Sequence, residues 1–149
     1  MGKIAFVFSG QGAQAPGMGK ELYDNSAAAK AVFDLCDGIR PGTSEQCFNG
    51  TKEELTVTSN TQPDMFAVEV AAAKALVEQG VQPDMLAGFS LGEISALAFS
   101  GAVSLEDGFR LVCRRGELMQ QASESVDSAM VAVVKLPPEK VEELAGQFD

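Results

Sequence analysis

The chain has 149 residues, a length that fits a single domain. Hydrophobic residues make up 46% and charged residues 21%, enough to build a packed core and to argue against wholesale disorder. A net charge of −10 leaves no basic surplus for nucleic-acid phosphates or an anionic membrane surface, so neither partner is expected.

The segment Ile4-Ala5-Phe6-Val7-Phe8 is a short apolar run that reads as a buried parallel strand. The N-terminus Met1 to Phe8 is too short for a signal-peptide core, and no apolar run in the chain approaches the ~20 residues of a membrane span. Gly10 to Gly17 reads as a loop, punctuated by Pro16-Gly17. An alanine-rich helix is predicted over Met18 to Asp37, then a loop from Arg40 to Gly50, with a short helix at Glu53-Glu54-Leu55. Pro63 suits a first helical position, and Phe66, Val70, Ala73 and Val77 form a stripe at helical spacing that Gly80 ends. Met85-Leu86-Ala87-Gly88-Phe89 predicts a second buried strand, followed at once by a helix from Leu91 to Ser100. Ser104 with Asp107 resembles a capping box for a long helix to about Ala122. The polar stretch Ser123 to Ser128 reads as a linker to a second subdomain, opened by a third strand, Met130 to Val134, and a helix from Pro138 to about Gln147. Strands alternating with helices in this order predict an α/β protein with a largely parallel sheet.

Gly88-Phe89-Ser90-Leu91-Gly92 is a Gly-x-Ser-x-Gly run between a predicted strand and a predicted helix, the nucleophile-elbow pattern. A tight turn lifts the serine hydroxyl clear of the backbone, and Gly88 and Gly92 remove side chains where strand and helix nearly touch. The helix N-terminus then sets the Leu91 amide beside a developing oxyanion. The plainer alternative is a glycine-rich turn in which Ser90 only caps the helix.

Gly10-Gln11-Gly12-Ala13-Gln14-Ala15 also follows a strand and formally fits a dinucleotide-binding fingerprint. The context does not fit, because Pro16-Gly17 stands where the helix should run and no strand ending in an acidic residue follows. A plain loop, or a backbone donor facing the elbow, remains; loops at the carboxyl ends of parallel strands share one edge, so Gln11 and Ser90 can meet. In the long helix, Arg115 has Leu111, Val112, Leu118 and Met119 three and four residues away. A guanidinium on such a face is costly without an anionic partner. An internal carboxylate, a snorkelled head or a substrate carboxylate each satisfies that need.

Cys36, Cys47 and Cys113 are too few and too far apart for a zinc pattern or a disulfide framework, and no metal site is expected. A reducing cytoplasm is the natural setting. The 149 residues contain no histidine, which removes the commonest general base from any serine mechanism.

Four segments together resemble the malonyl-CoA:acyl carrier protein transacylases and the acyltransferase domains of polyketide synthases. They are Phe8 to Gln14, Asn60-Thr61-Gln62-Pro63, Gly88 to Glu93, and Arg115 to Gln120. The resemblance implies an α/β-hydrolase-like core (residues 1–127 here, incomplete) and the opening βα unit of a small ferredoxin-like subdomain (128–149). It implies that Ser90 forms a malonyl ester, that the amides of Gln11 and Leu91 make the oxyanion hole, and that Arg115 clamps the malonyl carboxylate. Gly88, Phe89, Gly92 and Met119 would support the elbow or line the pocket, and Glu93 would be structural. Malonyl-CoA is the implied substrate, acyl carrier protein the acceptor, and no bound cofactor is implied; the setting is fatty acid biosynthesis. Phe89 stands where the family often has histidine. Family members are about twice as long, with their catalytic histidine in the other half, so the chain is expected to be an N-terminal portion that needs the C-terminal half, in cis or as a separate chain. Without it, the chain is expected to be inactive, or else a silent module that binds acyl carrier protein or coenzyme A.

Overall fold

The computed structural model describes residues 2–126 and 133–147. Two strands, β1 (Ala5–Phe8) and β2 (Met85–Gly88), pair in parallel with Ala5 opposite Met85 and Phe8 opposite Gly88. Between them in sequence run α1 (Lys20–Asn25), α2 (Ala27–Ile39), α3 (Thr43–Asn49), α4 (Lys52–Thr56) and α5 (Thr58–Glu78). After β2 come α6 (Leu91–Ser100), α7 (Leu105–Glu124) and α8 (Pro138–Ala145). The chain is therefore an α/β protein with a small parallel sheet, as the alternation of patterns predicts.

Helix α5 is the hub. It packs on α2, α6 and α7, and Phe66, Ala67, Val70 and Ala71 along it are fully buried. A helix surrounded on most sides carries no single apolar stripe, which is why the sequence stripe captures only part of its core. The Phe66 and Phe109 rings meet at 5.8 Å, and Gly108 lets α7 approach, since a Cβ there would lie 2.9 Å from the Ala98 methyl.

Three helical expectations need correction. The predicted helix over Met18 to Asp37 is two helices, broken at Ser26, whose hydroxyl accepts from the Ala29 amide at 3.0 Å and so starts α2. The predicted loop from Arg40 to Gly50 contains α3, launched by Gly42 in a left-handed conformation and held by buried Thr43 and Cys47. Pro63 is not a first helical residue but lies inside α5, which begins at Thr58. Its missing N–H removes one bond of that turn. The Thr58 amide, left free by the helix start, donates instead to Gln120 Oε1 at 3.0 Å.

Both strands were expected to be buried; they are buried on one face only. Phe6 and Phe8 point inward, their rings 5.7 and 5.8 Å from Phe99, whereas Ala5, Val7, Met85 and Ala87 face out. Val7 is 75% exposed and Met85 48%. Among the described residues, helices cover just one side of this sheet. An open apolar groove of about 430 Å³, lined by β1 and by Met65, Val68, Ala72 and Leu76, lies beside it. The expected third strand, Met130 to Val134, lies for the most part outside the described residues, as does the expected subdomain boundary at 127/128.

Candidate active site

Ser90 sits between the end of β2 and the start of α6, at φ 55 and ψ −103. That backbone conformation is strained for a residue with a side chain and costs on the order of 1–3 kcal/mol. Two contacts impose it. A Cβ on Gly88 would lie 2.2 Å from the Gly92 carbonyl oxygen, and one on Gly92 would lie 2.3 Å from the Phe8 carbonyl oxygen. Strand and helix thus touch backbone to backbone, and Ser90 turns the corner between them. Its side chain makes no capping hydrogen bond to α6, which removes the plain N-cap alternative.

The Ser90 hydroxyl is instead engaged by Arg115. Nη2 of the guanidinium donates to Ser90 Oγ at 2.9 Å. Nη1 of the same guanidinium donates to Gln62 Oε1 in a short bond. Arg115 is half-buried and, among the described residues, pairs with no carboxylate. The internal acidic partner allowed by the sequence is therefore not found, and Leu111, Leu118 and Met119 on that face are each at least 36% exposed.

Gln11 lies in the turn after β1, on the same edge as Ser90. Its Oε1 accepts from Gln62 Nε2 at 3.2 Å, and its Nε2 donates to Thr58 Oγ1 at 3.3 Å. Ser9 Oγ donates to Glu69 Oε1 at 2.7 Å, fixing the start of this turn to α5. Burial pushes the Glu69 pKa up; Ser95 and Ser9 act in the opposite direction. Ser95 Oγ and Glu69 Oε2 are both buried, and among the described residues neither has a hydrogen-bond partner. Leu91 is fully buried, and its amide is the first of α6, among those with no acceptor inside the helix.

Phe89 is 73% exposed, and its ring lies over Gly10, where a Cβ would come within 2.7 Å of it. It pins the first turn to the elbow. Met119 lies one turn past Arg115 on α7, with 36% of its surface open. In the sequence Gln62 stands only as one residue of the Asn60-Thr61-Gln62-Pro63 segment. The structure puts it at the centre: it is 1% exposed and joins Arg115 to Gln11. A cluster below it, on the other side of α5, has Asp64 fully buried with Arg40 at 3.4 Å, and Arg40 also donates to Gln46 and Asn60. Burial raises the Asp64 pKa to about 7, opposed by Arg40. Burial likewise pushes the thiols of the fully buried Cys36 and Cys47 up, which disfavours the reactive thiolate.

An α/β protein that presents a serine on a strained strand-to-helix elbow, with a guanidinium on its hydroxyl, is the class this geometry defines. The chain belongs to the acyl transferase domain family, which it matches over residues 5–148. It is 43% identical over 148 residues to the malonyl CoA-acyl carrier protein transacylase of Bacillus subtilis (strain 168), covering 99% of this chain and 47% of that one. The crystal structure of the malonyl CoA-acyl carrier protein transacylase from Clostridium perfringens superposes with a TM-score of 0.81 at 41% identity, covering 98% of this chain and 46% of the other. A type II polyketide acyl-carrier protein in complex with its malonyl-transacylase matches with a TM-score of 0.82 at 32% identity, covering 98% of this chain and 48% of that one. The chain thus spans about half the length of the relatives it matches.

Proposed function

We propose that this chain carries the nucleophile side of a malonyl-CoA:acyl carrier protein transacylase of fatty acid biosynthesis, working in the cytoplasm. The observation that carries the reading is the Ser90 hydroxyl, set in a strained elbow and held at 2.9 Å by a guanidinium with no carboxylate partner among the described residues. Ser90 Oγ attacks the thioester carbonyl of malonyl-CoA and gives up its proton to a base. The tetrahedral oxyanion is held by the amides of Gln11 and Leu91. It collapses to a malonyl ester on Ser90, and coenzyme A leaves as its thiol after taking a proton. The phosphopantetheine thiol of acyl carrier protein then attacks the ester by the same route in reverse, and Ser90 recovers its proton. Throughout, Arg115 holds the malonyl carboxylate, Gly88 and Gly92 keep the elbow closed, and Phe89 and Met119 border the pocket.

The 149 residues contain no histidine, so the base comes from elsewhere. We assign it to the C-terminal half of the enzyme, in cis or as a separate chain. The exposed apolar outer face of the sheet, with Val7 and Met85 upon it, supports a neighbour there. In this reading residues 1–127 belong to an α/β-hydrolase-like core and 128–149 open a ferredoxin-like subdomain. Free Cys36, Cys47 and Cys113 suit a reducing compartment, and among the described residues no helix is long and apolar enough to cross a membrane. The polyketide carrier-protein complex among the relatives supports a second reading, an acyltransferase of polyketide synthesis, with the same chemistry at Ser90.

The test is Arg115→Ala in the enzyme completed by its C-terminal half. Ester formed on Ser90 from malonyl-CoA should fall at least about tenfold more than ester formed from acetyl-CoA, because just the first has a carboxylate to lose. Equal losses from both thioesters would contradict the clamp.

A further inference from the structure

Gln62 is 1% exposed, and both ends of its amide are engaged. Arg115 can only donate, so the atom facing it must be the amide oxygen; the NH₂ is thereby turned to Gln11 Oε1 at 3.2 Å. Gln11 in turn presents its own NH₂ to Thr58 Oγ1 at 3.3 Å. The direction of the whole chain of bonds is set by the guanidinium. The seat is built for this residue. A Cβ on Gly116, next to Arg115, would lie 3.1 Å from Gln62 Cβ and 3.1 Å from the Thr58 carbonyl oxygen, so the glycine lets α7 close on α5 here. One edge of the Arg115 fork is occupied by Gln62. The other edge, through Nη2, is left at Ser90.

We propose that Gln62 is the positioning residue for acyl selectivity: it fixes the plane of the Arg115 guanidinium over Ser90 while keeping that guanidinium's charge uncompensated. A neutral amide does both. A carboxylate of the same shape would hold the fork and cancel its charge, and it would no longer donate to Gln11 Oε1. An apolar side chain would keep the charge and free the fork to rotate. The inference rests on the reading of Arg115 as a malonyl clamp. It adds that the clamp's preference for an anionic acyl group is set by a residue that never touches the substrate.

The experiment measures dissociation constants of malonyl-CoA and acetyl-CoA by calorimetry for the wild-type chain, Gln62→Glu and Gln62→Met, with thermal unfolding of each. The wild type should prefer malonyl-CoA. Gln62→Glu should weaken malonyl-CoA about tenfold or more and leave acetyl-CoA within about twofold, erasing the preference. Loss of stability alone would weaken both ligands alike and leave their ratio unchanged. In Gln62→Met the Arg115 Nη–H signals seen by ¹⁵N NMR should merge through faster guanidinium rotation. A Gln62→Glu chain that retains the wild-type ratio, or unchanged Arg115 signals in Gln62→Met, overturns the role of Gln62. A wild type without malonyl preference overturns the Arg115 clamp itself, and this inference with it.

Discussion

Ser90 is the residue whose chemistry reaches the sequence most directly, because the two glycines that its elbow needs lie within five positions of the chain. A Cβ on Gly88 or Gly92 would lie 2.2 or 2.3 Å from a backbone carbonyl oxygen, so no other residue type fits there. Gln62 is the opposite case. Its partners stand 51 and 53 positions away, and its meaning arises where α5 crosses α7, which no local pattern records. Asp64 is likewise silent in the sequence. In the structure it is fully buried, with its pKa raised to about 7 by desolvation against the opposing effect of Arg40. The folded chain therefore keeps this proton over a window, from its ordinary value of 3.8 up to about 7, in which the unfolded chain releases it. Its contribution to stability is full below that window and is lost as the pH rises through it. Unfolding midpoints of wild type and Asp64→Asn, measured between roughly pH 4 and 7, should diverge, with the wild type losing stability relative to the variant as pH rises. Parallel curves would show that Asp64 is ionised in the fold.

At the scale of elements, the helices with local signals are where the sequence puts them. Helix α6 runs from Leu91 to Ser100 as expected, since Gly101 takes the left-handed conformation that ends it. Helix α7 starts at Ser104, whose hydroxyl accepts from the Asp107 amide at 3.0 Å and donates to the Asp107 carboxylate. The misreadings came from tertiary contacts. Ser26 breaks a continuous alanine-rich pattern because its hydroxyl also donates to Glu78 on α5 at 2.6 Å. Thr51 and Glu54 form a reciprocal capping box ahead of α4, a local signal that the sequence carries. Pro63 misled because a proline inside a helix is rare, while here packing of Thr61 and Gln62 continues the helix past it. The elbow makes its own prediction at this scale. Gly92→Ala drives a methyl into the Phe8 and Ser9 carbonyls, at 2.3 and 2.5 Å, so β1 and α6 must separate. It should cost about 3 kcal/mol or more in urea unfolding, and a variant of wild-type stability would show that strand and helix are not in this contact.

For the molecule as a whole, the parallel α/β order was legible from alternating strand and helix patterns, and the one-sided cover of the sheet was not. Short apolar runs such as Ile4 to Phe8 look the same whether one face or both are covered. The outer face of Ala5, Val7, Met85 and Ala87 is open, and the 149 residues hold no histidine; in the proposed function both follow from a nucleophile site whose base lies in another part of the enzyme. A small diffusible base should then stand in for the missing one. The decisive measurement is mass spectrometry of the Ser90 peptide after the 149-residue chain meets malonyl-CoA, with and without added imidazole. The account predicts a malonyl ester on Ser90 that forms slowly alone, faster as imidazole is raised, and not at all in Ser90→Ala. No ester on Ser90 at any imidazole concentration, or equal labelling of Ser90→Ala, would contradict it.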